Sequence, residues 1–350
     1  MKPVGVALVG TGMFGGRVAA AVARTPSLDL VTCFSRDDEK RQAFALECGC
    51  EAAPSFEAAI EDTRVEAVLL VTPNFVHREQ AIACAERGKH VFVEKPIADT
   101  LEDGRAMAAA CEAAGVTLLV GHGLRRLGAA RAAERLVRDG SLGRVVLAEA
   151  NFSLPGTLKP HMWRFRRETC PGGPLLQIGV HHVDTLLHWL GPAARVQGSF
   201  ARLVTDAEID DLGIALVEHE SGARSLVSSS YVSPKTFSIR LLGTEGVLDF
   251  VTDMAVWPRV ELVDGATTLR LTTAEGAREV SFEARDVLVE ELDELARCVR
   301  GEATPETGAA EGLAALGVVL AAIESHESGG RAVPIASNTL LLDGPRGAGD

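Results

Sequence analysis

Short continuous apolar runs alternate with longer stretches of helical spacing through the first third of the chain. Val4 to Val9, Leu28 to Phe34, Glu51 to Ala53, Ala67 to Val71, His90 to Val93 and Val116 to Val120 read as strands. Arg17 to Arg24, Glu39 to Cys48, Ser55 to Glu61, Phe75 to Arg87 and Leu101 to Ala114 read as the helices between them. Strands without a polar face are covered on both sides, so the pattern predicts an α/β, doubly wound parallel sheet. A helix then runs to about Arg138, a strand from Val145 to Phe152, a polar loop from Leu154 to Pro174, and a helix from Leu175 to Leu190. Beyond Gly191 the period falls to two: Val196 to Val204, Gly213 to Glu218, Arg224 to Tyr231, Ser238 to Leu242 and Gly246 to Phe250, with shorter strands up to Phe282. Alternation with short turns predicts a large, mostly antiparallel sheet. Helices over Asp286 to Arg300 and Thr307 to Glu324 complete the pattern, and the Gly-rich end, Gly344 to Asp350, is expected to be disordered.

At 350 residues two domains are expected, and 47% apolar with 24% charged residues is ordinary for a globular protein. The division predicted is 1–122, 123–335, and 336–350 as a tail. A net charge of −13 argues against nucleic acid, whose backbone requires clustered Lys and Arg. The first strand starts too early for a secretory leader, and no apolar run reaches the ~18 residues of a membrane span. Seven scattered cysteines without a paired C-x-x-C read as reduced thiols of a cytoplasmic protein, with no metal site and no disulfide framework.

The chemistry begins at Val9-Gly10-Thr11-Gly12-Met13-Phe14-Gly15, a G-x-G-x-x-G leaving the first strand and opening an Ala-rich helix. A strand turning on glycine into a helix aims several backbone N–H groups at one place, which suits a pyrophosphate. The end of the second strand meets the adenosine ribose. An acidic residue there would accept from a 2′-hydroxyl; here Ser35 and Arg36 stand instead, which favours the 2′-phosphate of NADP by roughly ten- to hundredfold. Asp37 could turn toward a hydroxyl, so NAD stays open. Thr72-Pro73-Asn74, with His77 beyond, follows the fourth strand, and Glu94-Lys95-Pro96 the fifth. Both lie at strand ends, where open α/β sheets bind ligands.

The second half supplies polar groups for a substrate. His122 and Arg126 leave the sixth strand, and Trp163, Arg164, Arg166 and Arg167 lie in the long loop. Gln177, His181 and Asp184, four and three residues apart, share one stripe of a helix. His182 falls off that stripe, and His188 reads as packing. Pro171-Gly172-Gly173-Pro174 just before would let backbone approach a ligand.

Taken together, the G-x-G-x-x-G start, T-P-N-x-x-H, E-K-P and G-G-P-L-L-Q-I-G-V-H-H-V-D resemble, in that order, the glucose-fructose oxidoreductase, inositol dehydrogenase and MocA family. The resemblance implies a Rossmann domain followed by an α/β domain with a large antiparallel sheet that often mediates dimers or tetramers. It implies NAD(P)-dependent interconversion of a secondary alcohol and a ketone on a sugar, inositol or related polyol. His181 matches the family's proposed acid/base and Trp163-Arg164 a pair near nicotinamide and substrate; hydride removal also needs a base at the hydroxyl and a cation for the alkoxide, and that assignment stays shared between His181 and Lys95. Where relatives commonly carry aspartate, this chain has Gln177, which leaves Asp184 as the nearby acid. Two other readings stay open: a non-catalytic cofactor sensor, and a redox-neutral sugar-processing enzyme with a retained nicotinamide.

Overall fold

The computed structural model describes residues 2–335 apart from 157 and 258; the tail, with Gly344 to Asp350, lies outside the described residues. In chain order the first elements are β1 (Val4–Val9), α1 (Met13–Val22), β2 (Leu28–Phe34), α2 (Asp38–Cys48), β3 (Glu51–Ala52), α3 (Phe56–Glu61), β4 (Ala67–Leu70), α4 (His77–Glu86), β5 (His90–Val93), α5 (Leu101–Ala114) and β6 (Leu118–Val120). There follow α6 (Gly128–Arg138), β7 (Val145–Ser153), α7 (Val180–Leu190), β8 (Ala193–Ala201), β9 (Leu212–His219), β10 (Arg224–Ser230), β11 (Thr236–Gly243), β12 (Gly246–Thr252), β13 (Thr267–Thr273) and β14 (Gly276–Glu279). The last are α8 (Val287–Val299), α9 (Ala309–Glu327) and β15 (Val333–Pro334).

Among the described residues the chain forms two compact units, one from 2–126, 259–261 and 285–309, the other from 127–257, 262–284 and 310–335. The first is built on a six-stranded sheet ordered β3-β2-β1-β4-β5-β6, with every pairing parallel. All six residues of β1 and all four of β4 are buried, as continuous apolar runs covered by helices must be. Helix starts are set locally: Asp37, Ser55 and Thr100 accept backbone N–H bonds from Lys40, Ala58 and Asp103. α8, more than 150 residues downstream of β6, belongs to this unit as well. Its cap Asp286 pairs with Arg24 at 2.7 Å, and its Asp293 accepts from Ser27 at 2.8 Å.

The second unit holds a nine-stranded sheet, β14-β13-β12-β11-β7-β10-β9-β8-β15, in which β7 and β10 run parallel and the other pairs antiparallel. Its inward face is apolar and includes Ala148, Phe152, Val227, Phe237, Ile239, Leu248 and Phe250. α7 packs on β7 and β10 and ends at Gly191, whose φ of +88° only glycine tolerates readily. α9 joins its apolar residues into one 19-residue helix, so among the described residues there is a helix long and apolar enough to cross a membrane. Leu313, Leu316, Val318 and Val319 on it are buried in the second unit's core.

Candidate active site

The glycine turn after β1 separates two demands on glycine. A Cβ on Gly10, at φ +107°, would stand 2.3 Å from the Val71 carbonyl oxygen, and one on Gly15 2.0 Å from that of Gly10. Packing alone requires both. A Cβ on Gly12 would meet nothing within 4 Å, so no protein atom demands glycine there. The open space lies at the start of α1, which has no side-chain cap and no acidic residue in its first turn, unlike the capped α2, α3 and α5. Its first N–H groups are left to solvent or an anion, and the positive helix end favours the anion. The residues present therefore fit a dinucleotide pyrophosphate. Met13 is exposed, and Phe14 lies under the Arg17 guanidinium at 5.9 Å.

At the tip of β2, the Thr11 hydroxyl donates to the Ser35 hydroxyl at 2.8 Å. Arg36 is exposed and makes no hydrogen bond or ion pair among the described residues. Asp37 is committed: one carboxylate oxygen accepts the Lys40 N–H at 3.1 Å and the other meets the Lys40 ammonium at 2.8 Å. The alternative in which Asp37 turns to a ribose hydroxyl would sacrifice the α2 cap.

The loops after β4 and β5 are stapled together by His77. The ring is fully enclosed, with Nδ1 3.1 Å from the Ile97 carbonyl and Nε2 3.0 Å from the Thr72 carbonyl. Burial holds its pKa below the ordinary imidazole value. Asn74 donates to Asp99, whose carboxyl burial pushes up to about 6, and the Thr72 hydroxyl donates to Gln80 at 2.7 Å. Asn74 and His77, expected at the cofactor, thus face inward and fix Pro73 and its neighbours from behind. The Lys95–Pro96 bond is cis. Glu94 is buried, accepts the Lys95 backbone N–H at 3.3 Å, and is pushed up to about 7 by desolvation, against the opposing Lys95 charge.

His122 is 1% exposed beyond β6. Arg126, expected near substrate, is 3% exposed and enclosed by carboxylates, 2.5 Å from Glu294, 3.3 Å from Glu306 and 3.8 Å from Glu291. Sequence shows a residue's type but not the direction it points; the acids that hold Arg126 come from α8 and the segment after it, far along the chain.

In the second unit, the run expected as one helix from Leu175 starts as a wide π-helical turn, Leu175–Gly179, and becomes α-helical only at Val180. The spacing that put Gln177, His181 and Asp184 on one stripe assumes a single α phase, which the turn breaks. Gln177 and Asp184 are buried at 4% and 2%, while His181 keeps part of its surface. The His181 ring packs on Phe152 with centroids 6.0 Å apart. His182 has no exposed surface: its Nε2 lies 3.2 Å from the Asn151 carbonyl, Phe237 packs at 4.6 Å, and desolvation lowers its pKa to about 4. It is a neutral core ring. His188 sits 2.8 Å from Glu134. The glycines before α7 admit the chain itself, since a Cβ on Gly173 would stand 2.3 Å from the Asp210 carbonyl.

The Arg164 guanidinium lies over the Trp163 ring at 4.2 Å, on the loop between β7 and α7. Two residues escaped the sequence reading, Asp99 beside Asn74 and Trp257 beside Phe152. Asp99 sits five residues past Glu94 in a loop with no motif beyond E-K-P, and Trp257 lies in an irregular run between β12 and β13.

A parallel sheet in this order, with an uncapped glycine turn at its central strand, defines a doubly wound dinucleotide-binding fold. Residues 4–122 match the model of the oxidoreductase family with NAD-binding Rossmann fold, and residues 130–249 match the GFO/IDH/MocA C-terminal domain. The chain belongs to the GFO/IDH/MocA oxidoreductases. It is 30% identical to 1,5-anhydro-D-fructose reductase of Ensifer adhaerens over 328 residues, 92% of this chain and 96% of that protein. A crystal structure from Desulfitobacterium hafniense, assigned as an NADPH-dependent oxidoreductase, superposes with a TM-score of 0.92 at 35% identity, covering 95% of this chain and 98% of that one. Over 192 residues, 55% of this chain and 50% of that protein, it is 32% identical to 2,7-anhydro-N-acetylneuraminate hydratase of Mediterraneibacter gnavus.

Proposed function

We propose that the protein is an NADP-preferring oxidoreductase that interconverts a secondary alcohol and a ketone on a sugar or related polyol. The observation that carries the cofactor half is the open, uncapped start of α1 at Gly12. The sugar half is supported by kinship with 1,5-anhydro-D-fructose reductase. Along the chain, 1–122 would serve the cofactor and 123–335 the substrate. Gly10, Gly12, Met13, Phe14 and Gly15 would hold the pyrophosphate, and Ser35 with Arg36 the adenosine ribose. Thr72, Pro73, Asn74, His77 and Glu94 would shape the nicotinamide end from behind.

The nicotinamide, when bound, supplies the hydride acceptor. Removing a hydride from a carbinol carbon requires that the hydroxyl proton leave too, so a base must reach that oxygen. His181 takes that proton and Lys95 stabilises the developing alkoxide. Gln177, a neutral amide, can orient a ring but cannot neutralise an imidazolium. Trp163 and Arg164 contact the sugar, while Arg126 and His182 hold the frame. The outward face of the nine-stranded sheet, where Leu216, Leu226 and Val251 are exposed, would pair copies into a dimer or tetramer.

The test is an absorbance screen for reduced nicotinamide over sugars, inositols and keto-sugars with both cofactors. Lys95→Ala and His181→Ala each lower the chemical rate by about 10² to 10⁴. Wild-type rates in both variants reject the mechanism. Kinship with the hydratase favours a second reading, in which oxidation is transient and no reduced cofactor accumulates.

A further inference from the structure

Trp257 has no part in the reading above. It ends a short helical turn, Met254–Val256, that Asp253 caps by accepting the Ala255 N–H at 2.9 Å, and its own N–H donates to the Met254 carbonyl at 3.3 Å. The indole meets Phe152 nearly perpendicular, at 81° and 4.9 Å between centroids. Phe152 is fully buried and fixed by Phe237 at 5.0 Å and His182 at 5.8 Å, so it is a rigid support. The same Phe152 carries the His181 ring. An aromatic surface and the candidate base are therefore set against one immobile ring.

The other two tryptophans are differently disposed. Trp189 is 7% exposed, and Trp163 is covered by Arg164. Trp257 keeps part of its surface, with no cation over its ring and no hydrogen bond to its indole N–H among the described residues. A rigid, partly bare indole is a large apolar contact with a single donor at its rim. A closed sugar ring matches it: one face presents C–H groups to stack on the indole, and the hydroxyls at the edge stay free for polar partners. An open-chain polyol has no such face and loses more conformational freedom when ordered on one.

We propose that Trp257 is the stacking platform for the ring of a cyclic sugar, placing a ring carbinol at His181, and that the enzyme selects ring-closed sugars over open-chain polyols. This rests on the sugar-oxidoreductase reading.

The experiment compares full-length wild type, Trp257→Phe and Trp257→Leu, using 1,5-anhydro and other cyclic sugars against hexitols. It combines steady-state kinetics with sugar titration of tryptophan fluorescence. Trp257→Leu should raise KM for cyclic sugars about tenfold with kcat within about twofold, narrowing the preference over hexitols by the same factor, and Trp257→Phe should keep most of it. Cyclic sugar should quench wild-type fluorescence, and the quench should vanish in Trp257→Phe. Unchanged KM and quench in the variants overturn the platform, as does wild-type preference for hexitols. An equal loss of kcat for both substrate classes with a lowered Tm also overturns it, by showing a packing role. If no sugar is turned over, the function proposed above fails, and the quench still decides whether Trp257 binds a sugar ring.

Discussion

Replacing Arg36 with alanine tests cofactor choice at a single side chain. The guanidinium is exposed and unpaired among the described residues, so no ion pair in the protein has to break before it meets a 2′-phosphate. A charge-assisted hydrogen bond contributes about 1.5–3 kcal/mol, which converts to roughly a 10- to 150-fold weakening of NADP(H) binding in Arg36→Ala. NAD(H) affinity should change by less than about threefold. It should not rise, because Asp37, the one carboxylate that could serve the ribose hydroxyl, stays bound to the Lys40 N–H and ammonium. Fluorescence titration of both reduced cofactors at two salt concentrations gives the four affinities directly, and the NADPH advantage should shrink as salt rises. Equal weakening of both cofactors, or none of either, refutes the assignment of the 2′-phosphate to Arg36.

Gly12→Ala should fold with an unchanged Tm, since its Cβ meets nothing, and yet lose most cofactor affinity; a lowered Tm with binding intact would show that the space serves packing. Glu94, with a folded pKa near 7 against an unfolded value of about 4.3, binds more protons when folded. Stability should therefore fall as pH rises from about 4.5 to 7, by on the order of 3 kcal/mol, and level off above. Denaturant melts of Glu94→Gln should lack that component, and identical pH curves would contradict it. Arg126→Met removes the buried cation that lies 2.5 Å from Glu294, 3.3 Å from Glu306 and 3.8 Å from Glu291, and should cost about 3–5 kcal/mol in denaturant melts at neutral pH; a loss below about 1 kcal/mol would contradict the ion-pair role.

Much of the first unit was legible because its local signals are strong, but α1 begins at Met13 rather than at the Arg17 read for it, and α8, read within 123–335, packs into the first unit. His90–Val93 is bounded as read, and Leu101–Ala114 runs from the Thr100 cap to Gly115, whose φ of +65° ends the helix. Period-two alternation located β8 to β12 with ends displaced by a few residues, since a strand's limits depend on its partner's length. Three features left no trace in any local pattern. The π-helical turn at Leu175–Gly179 keeps the apolar spacing of an α-helix. The inward direction of Asn74, His77 and Arg126 depends on partners up to 180 residues away. Trp257 belongs to a segment whose place beside Phe152 is set by sheet order rather than by neighbours in sequence.

The central claim is net hydride transfer from a sugar carbinol to the nicotinamide. A cyclic sugar deuterated at the reacting carbon, incubated with stoichiometric enzyme and NADP, tests it directly. The account predicts accumulating reduced cofactor that carries the deuterium, and its loss in His181→Ala. Deuterium returned to product with no net reduced cofactor would contradict the account and establish the redox-neutral reading in its place.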